Sequence, residues 1–192
     1  MNHKGTRIAI VGPESTGKTI LAKKLAEYYN GEWVPEYARD YIKKLERPYT
    51  FSDVEHIARW LIDAYDNSQD AQYPVFFDTE MIITKVWFDV AFGKLPTQME
   101  KWLKHMNFDA FLLCYPDLPW EPDPVRENGG KRREILYHRY RNEIEALQKP
   151  YQIIKGHGAE RMANASNALN KLTGLPDLSK TIKADHSLKV LF

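Results

Sequence analysis

Short apolar runs alternate with longer stretches of helical period from residue 7 to about residue 172. Arg7-Ile8-Ala9-Ile10-Val11, Glu32-Trp33-Val34, Pro74-Val75-Phe76-Phe77, Asp109-Ala110-Phe111-Leu112-Leu113-Cys114 and Tyr151-Gln152-Ile153-Ile154 have strand length. The third is continuously apolar, as a strand covered on both faces should be. Between them, apolar residues recur at spacings of three and four, predicting helices over 20–29, 36–42, 52–67, 79–92, 98–106, 131–148 and 158–172. Asn30-Gly31 stops the first of these. Ser52-Asp53-Val54-Glu55 reads as a capping box with Ser52 as cap. The stretch 116–130 holds four prolines and a Gly-Gly pair, which predicts a long ordered loop. The tail after Gly174 has no strong period. Strands separated by helices imply a doubly wound parallel sheet with right-handed crossovers, whose ligands bind at the carboxyl ends of the strands.

One motif occupies such an end. Gly12-Pro13-Glu14-Ser15-Thr16-Gly17-Lys18-Thr19 follows the first strand and precedes the first helix, the context a phosphate-binding loop requires. Glycines let the backbone turn so that amides from Gly12, Glu14, Ser15, Thr16 and Gly17 converge on phosphate oxygens. The helix N-terminus adds its dipole. Lys18 supplies a point charge for the β- and γ-phosphates, and the Thr19 hydroxyl can ligate Mg²⁺. The expected architecture is therefore a P-loop NTPase, a three-layer α/β/α domain with five parallel strands in the order 2-3-1-4-5. It would span residues 1–174, with a lid at about 116–133 and a tail over 175–192.

Composition narrows the setting. With 192 residues the chain fits one domain with a full core. Its 27 basic and 26 acidic residues give a net charge of +1, so no broad field attracts nucleic acid or an anionic membrane. The single cysteine, Cys114, sits in an apolar strand and points to a reduced, cytoplasmic setting. No apolar run approaches the ~20 residues of a membrane span, and residues 1–5 do not read as a signal peptide.

The other strand ends carry the remaining candidates. Asp78 stands where a Walker-B acid stands, able to serve Mg²⁺ or a substrate hydroxyl, and it would equally suit the cap of the helix beginning at residue 79. Glu36 lies just past the second strand, where a carboxylate can take the proton of an attacking alcohol. Arg39 shares its helix face and could grip the substrate; an ordinary surface pair with Glu36 explains it as well. In the lid stretch, Arg126 is the first candidate to neutralise transferring phosphate, with Arg132 or Arg133 next. A solvated helix start accounts for 131–133 equally. Trp120, beside Asp117, Glu121 and Asp123, suits a flat cationic ring, although one tryptophan in a proline-rich loop often simply packs. Arg161 opens the last helix near where adenine lies in such sheets, or merely caps it. The six histidines show no metal spacing.

These motifs resemble a known family. The phosphate loop, Val34-Pro35-Glu36-Tyr37-Ala38-Arg39-Asp40-Tyr41, Phe76-Phe77-Asp78-Thr79, and Pro116-Asp117-Leu118-Pro119-Trp120 with Asp123 and Arg126 are similar to the ribosylnicotinamide kinase domain of NadR-type NAD-biosynthesis proteins. The similarity runs from about residue 6 to about residue 170. It implies ATP- and Mg²⁺-dependent phosphorylation of the 5′-hydroxyl of nicotinamide riboside, a pyridinium nucleoside. It further implies that Lys18 and Thr19 hold phosphates and metal, that Asp78 and Glu36 serve metal and hydroxyl, and that Tyr37, Arg39, Trp120 and Asp123 face the nucleoside. Arg126 would serve the lid. Larger relatives add a helix-turn-helix repressor and an adenylyltransferase; with the first strand at residue 7, neither DNA binding nor adenylation is expected. Kinase action on another nucleoside or small alcohol, or a regulatory nucleotide-binding module, remain open.

Overall fold

The computed structural model describes residues 5–122, 129–185 and 188. Five parallel strands, β1 (Arg7–Val11), β2 (Glu32–Val34), β3 (Val75–Asp78), β4 (Ala110–Cys114) and β5 (Tyr151–Ile154), form one sheet in the order β2-β3-β1-β4-β5. This is the expected P-loop kinase-like arrangement. The helices are α1 (Lys18–Tyr28), α2 (Tyr37–Lys43), α3 (Phe51–Asn67), α4 (Met81–Phe92), α5 (Met99–His105), α6 (Lys131–Ala146), α7 (Gly158–Thr173) and α8 (Ser179–Ala184).

Alternation along each strand splits the core into two layers. Ala9, Val11, Val75, Phe77, Phe111 and Leu113 face α3, α4, α5 and α6, with Phe88, Tyr140 and Ile144. Ile8, Ile10, Phe76, Leu112, Cys114 and Ile154 face α1, α7 and α8, with Leu25, Met162 and Leu169. The aperiodic segment after Gly174 closes this second layer. Leu175 and Ile182 are buried there, the Tyr28 hydroxyl binds Asp185, and Tyr29 donates to the Pro176 carbonyl at 2.8 Å.

Two helix starts differ from the sequence expectation. The cap of α3 is Thr50, with Asp53 completing the box, and not Ser52 with Glu55. The same three-residue spacing exists two positions earlier, and there Asp53 also receives Arg47 and Tyr41. The cap of α4 is Glu80, whose carboxylate accepts the Ile82 and Ile83 amides at 2.8 and 3.3 Å. Asp78 is therefore released from capping and ends β3.

Gly31 shows how tightly α1 meets the sheet. A Cβ there would lie 2.3 Å from the Pro74 carbonyl oxygen, the same oxygen that accepts the Glu32 amide at 2.9 Å. Gly31→Ala must shift the start of β2 and should cost about 1–3 kcal/mol. Urea unfolding of the variant checks this, and an unchanged midpoint would refute the close packing.

Candidate active site

β1 lies between β3 and β4, so the loop leaving Val11 rises between their carboxyl ends. Its approach to β4 is close: a Cβ on Gly12 would stand 2.9 Å from both the Cβ and the carbonyl oxygen of Cys114. Gly12 also has φ +153°, so glycine is required twice over. Ser15 and Gly17 follow in left-handed conformation, with φ of +54° and +72°. The Thr16 hydroxyl and the Lys18 ammonium both donate to the Pro13 carbonyl, at 2.8 and 3.0 Å. α1 opens on Gly17 with no capping side chain and no acid in its first turn, which leaves its first amides open to an anion.

Asp78 comes next to this loop through the β1–β3 register, which pairs it with Ile10. Its side chain is buried, 1% exposed, and no donor among the described residues meets either carboxylate oxygen with ordinary hydrogen-bond geometry, the Thr19 hydroxyl being the donor that acts on it. Burial, with the Glu36 carboxylate adding to it, pushes its pKa up to about 6, while Lys18, Thr19 and Arg39 pull it back down. Those partners are what lies within electrostatic reach of Asp78: Lys18 and Thr19 of the phosphate loop, and the Glu36–Arg39 pair. That pair is loose, 3.7 Å apart and half-exposed. The next residue, Thr79, holds φ +93° with its hydroxyl buried and unpartnered among the described residues. A β-branched residue there stores about 1–3 kcal/mol of strain, and such strain gathers at functional sites.

A second buried acid, Glu80, follows two residues after Asp78. Burial drives Glu80 up to about 8, against the pull of its two amide bonds. The Tyr140 hydroxyl on α6 is also pushed upward, by burial first and then by the charges of Glu14, Glu36 and Glu80.

The remaining candidates fall in three groups. Tyr37 turns toward α3: its ring stacks on Trp60 at 4.6 Å and its hydroxyl meets His56 Nε2 at 2.9 Å. Trp120 is half-buried, with its indole nitrogen unpartnered among the described residues and its ring against Gly129, where a Cβ would come within 3.1 Å. Arg132 is exposed, whereas Arg133 is buried against the loop, donating to the Ser15 and Leu118 carbonyls at 3.0 Å each. Arg161 is fully buried and donates to Asp117, Gly156, Thr16 and Tyr115. Asp123 and Arg126 lie outside the described residues.

A protein-family profile described as an AAA domain matches residues 7–161. The chain belongs to that family. This AAA-domain chain is homologous to the trifunctional NAD biosynthesis/regulator protein NadR. It is 29% identical over 128 residues to the NadR proteins of Salmonella typhimurium and Escherichia coli, covering 64% of this chain and 31% of each relative. The match therefore spans about a third of those curated relatives. Its fold is similar to that of NadR in complex with NR (TM-score 0.72, 24% identity), covering 90% of this chain and 52% of that one. It is also similar to NadR with NAD and AMP-PNP (TM-score 0.64, 23% identity, 89% and 50%). Deoxyadenosine kinase from M. mycoides with products dCMP and dCDP gives 0.60 at 15% identity, covering 88% of this chain and 100% of that one. The AAA-domain chain thus has a NadR-like nucleoside-kinase fold. No helix among its described residues is long and apolar enough to cross a membrane.

Residue types alone did not single out Glu80, Tyr140 or the buried setting of Arg133. A signal existed for two of them. Arg133, Leu136, Tyr137, Tyr140 and Ile144 are the buried stripe of α6, and a charged residue holding an apolar helical period marks a buried cation.

The Asp78 carboxyl carries a testable linkage. Its folded pKa of about 6 exceeds the ordinary 3.8, so the folded chain binds this proton more tightly than the unfolded one. Stability from it is present at low pH and is lost as pH rises through that window. Asp78→Asn should make the nucleotide-free protein more stable above about pH 6, by roughly 2–3 kcal/mol at most. The gain should vanish below about pH 4. Melting scans across pH check this, and a gain that did not depend on pH would refute it.

Proposed function

We propose that this chain transfers the γ-phosphate of ATP to the 5′-hydroxyl of nicotinamide riboside, giving nicotinamide mononucleotide and ADP. One observation carries the reading: a buried carboxylate, Asp78, has no hydrogen bond of ordinary geometry among the described residues, only the pull of the Thr19 hydroxyl, and lies within electrostatic reach of Lys18, Glu36 and Arg39. Such a group calls for a cation or a hydroxyl proton. Relatives support the rest, since one NadR structure holds NR and another holds AMP-PNP.

The amides of the Gly12–Gly17 turn and of the uncapped α1 start would cradle the phosphates. Lys18 would leave the Pro13 carbonyl for the β- and γ-phosphate oxygens. Thr19 and Asp78 would hold Mg²⁺, and the pair fits: a hard carboxylate without a hydrogen bond of ordinary geometry lies beside a hydroxyl at the exposed mouth of the loop. When bound, the ion neutralises charge on the bridging phosphate oxygens. Glu36, half-exposed at the end of β2, would accept the proton of the 5′-hydroxyl as that oxygen bonds to phosphorus and ADP departs. Arg39 would steady the phosphate in flight.

The acceptor side suits a cation. Glu36, half-exposed beyond β2, would face the positive charge of a pyridinium nucleoside. Trp120 offers a flat face for stacking, with Asp123 beside it in sequence and Arg126 for the lid. Arg132 and Arg161 are proposed to act on the nucleotide side, the latter through the loop itself.

A second reading, kinase action on another nucleoside, is favoured by the full-length fold match to a deoxyadenosine kinase. Coupled ADP release separates the two. With Mg²⁺-ATP, nicotinamide riboside should be turned over with kcat/KM at least tenfold above uridine, thymidine and deoxyadenosine. A preference for any of the neutral nucleosides would overturn the proposal.

A further inference from the structure

We propose that Arg133 and Arg161 are positioning residues of the phosphate loop, aiming two of its amides by holding the carbonyls behind them. The inference rests on the reading that the loop holds a triphosphate.

Arg133 Nη2 donates to the Ser15 carbonyl at 3.0 Å, and Arg161 Nη2 donates to the Thr16 carbonyl at 2.8 Å. All peptide bonds among the described residues are trans. In a planar trans peptide the C=O and the following N–H point in opposite directions. Fixing the Ser15 oxygen therefore turns the Thr16 amide to the other side of the loop, and fixing the Thr16 oxygen does the same for the Gly17 amide. Each of these two consecutive amides is thus turned away from the guanidinium that holds the carbonyl before it. Successive backbone amides with fixed directions can converge on a phosphate oxygen.

The braces are themselves anchored outside the loop. Arg133 also holds the Leu118 carbonyl at 3.0 Å. Arg161 Nη2 reaches the Tyr115 carbonyl at 3.1 Å, and its Nη1 meets Asp117 Oδ1 at 2.8 Å and the Gly156 carbonyl at 3.0 Å. Asp117 Oδ2 in turn accepts the Gly156 amide at 2.8 Å. Ser15 is fastened once more, since its hydroxyl oxygen accepts the Glu121 amide at 3.2 Å. The loop is therefore registered against residues 115–121 by two guanidinium groups, Arg133 holding two carbonyls and Arg161 three. A guanidinium fixes its donor directions in one rigid plane, which a freely rotating ammonium does not. Arg161 is 0% exposed and Arg133 is 7% exposed, so neither spends these donors on water. Asp117 thereby acts on the loop at one remove, orienting Arg161 and leaving substrate contact to its neighbours.

Calorimetry with Mg²⁺ and AMP-PNP on the full chain tests the proposal, using wild type, Arg133→Met, Arg133→Lys and Arg161→Lys well below their melting temperatures. Losing one well-aimed amide bond to a charged phosphate should weaken the dissociation constant about tenfold to a hundredfold. Arg133→Met should show that loss, with Arg133→Lys between it and wild type because the ammonium keeps a donor but not the fixed direction of the guanidinium plane. Arg161→Lys should weaken binding likewise. A melting temperature that falls while AMP-PNP affinity stays within about twofold of wild type would make both arginines cement only, and would overturn the inference. Should Arg133→Met not fold, the two lysine variants decide. Failure of the wild type to bind AMP-PNP would instead overturn the reading of the loop.

Discussion

A carboxylate removed from water with no donor to receive it is among the costliest arrangements a protein can hold. Asp78 comes close to that position: it is buried, and among the described residues only the Thr19 hydroxyl acts on it as a donor, without a hydrogen bond of ordinary geometry. Its charge is opposed by burial and by Glu36, and it is only partly offset by Lys18, Thr19 and Arg39. A chain selected for stability alone would place Asn or Leu at that strand end. Retaining a carboxylate whose charge works against the fold is intelligible if a cation or a reacting hydroxyl completes it.

The fold delivers that situation through ordinary sheet geometry. Placing β1 in the middle of the order β2-β3-β1-β4-β5 puts the phosphate loop between the ends of β3 and β4. The β1–β3 register sets Asp78 beside Ile10, one residue short of the turn into the loop. Thr79 then takes a left-handed conformation that ends the strand sharply, and Glu80 rather than Asp78 caps α4. With Glu80 as the cap, the Asp78 carboxylate is free of that duty. On the other side, the Gly12–Cys114 approach and the Arg133 and Arg161 forks fix the loop against β4. The loop is thus braced from behind by two buried arginines, while Glu36 and Arg39 stand within electrostatic reach of Asp78.

Much of this was legible in the chain because its signals are local. Each strand is a short apolar run, the loop is a contiguous motif, and the helical period survives in every helix of normal length. The α3 start was misplaced by two residues because Thr50-x-x-Asp53 and Ser52-x-x-Glu55 satisfy the same capping rule; tertiary partners of Asp53, Arg47 and Tyr41, decide between them. Tyr37 illustrates the same limit. It neighbours Glu36 in sequence, but its stacking on Trp60 depends on how α2 lies across α3. Arg161 reads as an adenine contact or a cap from its position at a helix start; its burial under the loop follows only from the packing of α7 beneath β4 and β5. The segment after Gly174 hid its helix because six residues are too few to show a period, and its order comes from Ile182 packing on α7 and Asp185 meeting Tyr28.

The charge of Asp78, with and without nucleotide, is the quantity on which the site stands most directly. Carbon-13 NMR of aspartate-labelled protein, with the Asp78 signal assigned by difference from a variant lacking it, follows that carboxyl through a pH titration. A midpoint near the value of about 6 is expected in the nucleotide-free protein. Saturating Mg²⁺ and AMP-PNP should move it below the ordinary carboxylate range as the cation arrives. A midpoint that ignored the nucleotide and its metal would contradict the central claim.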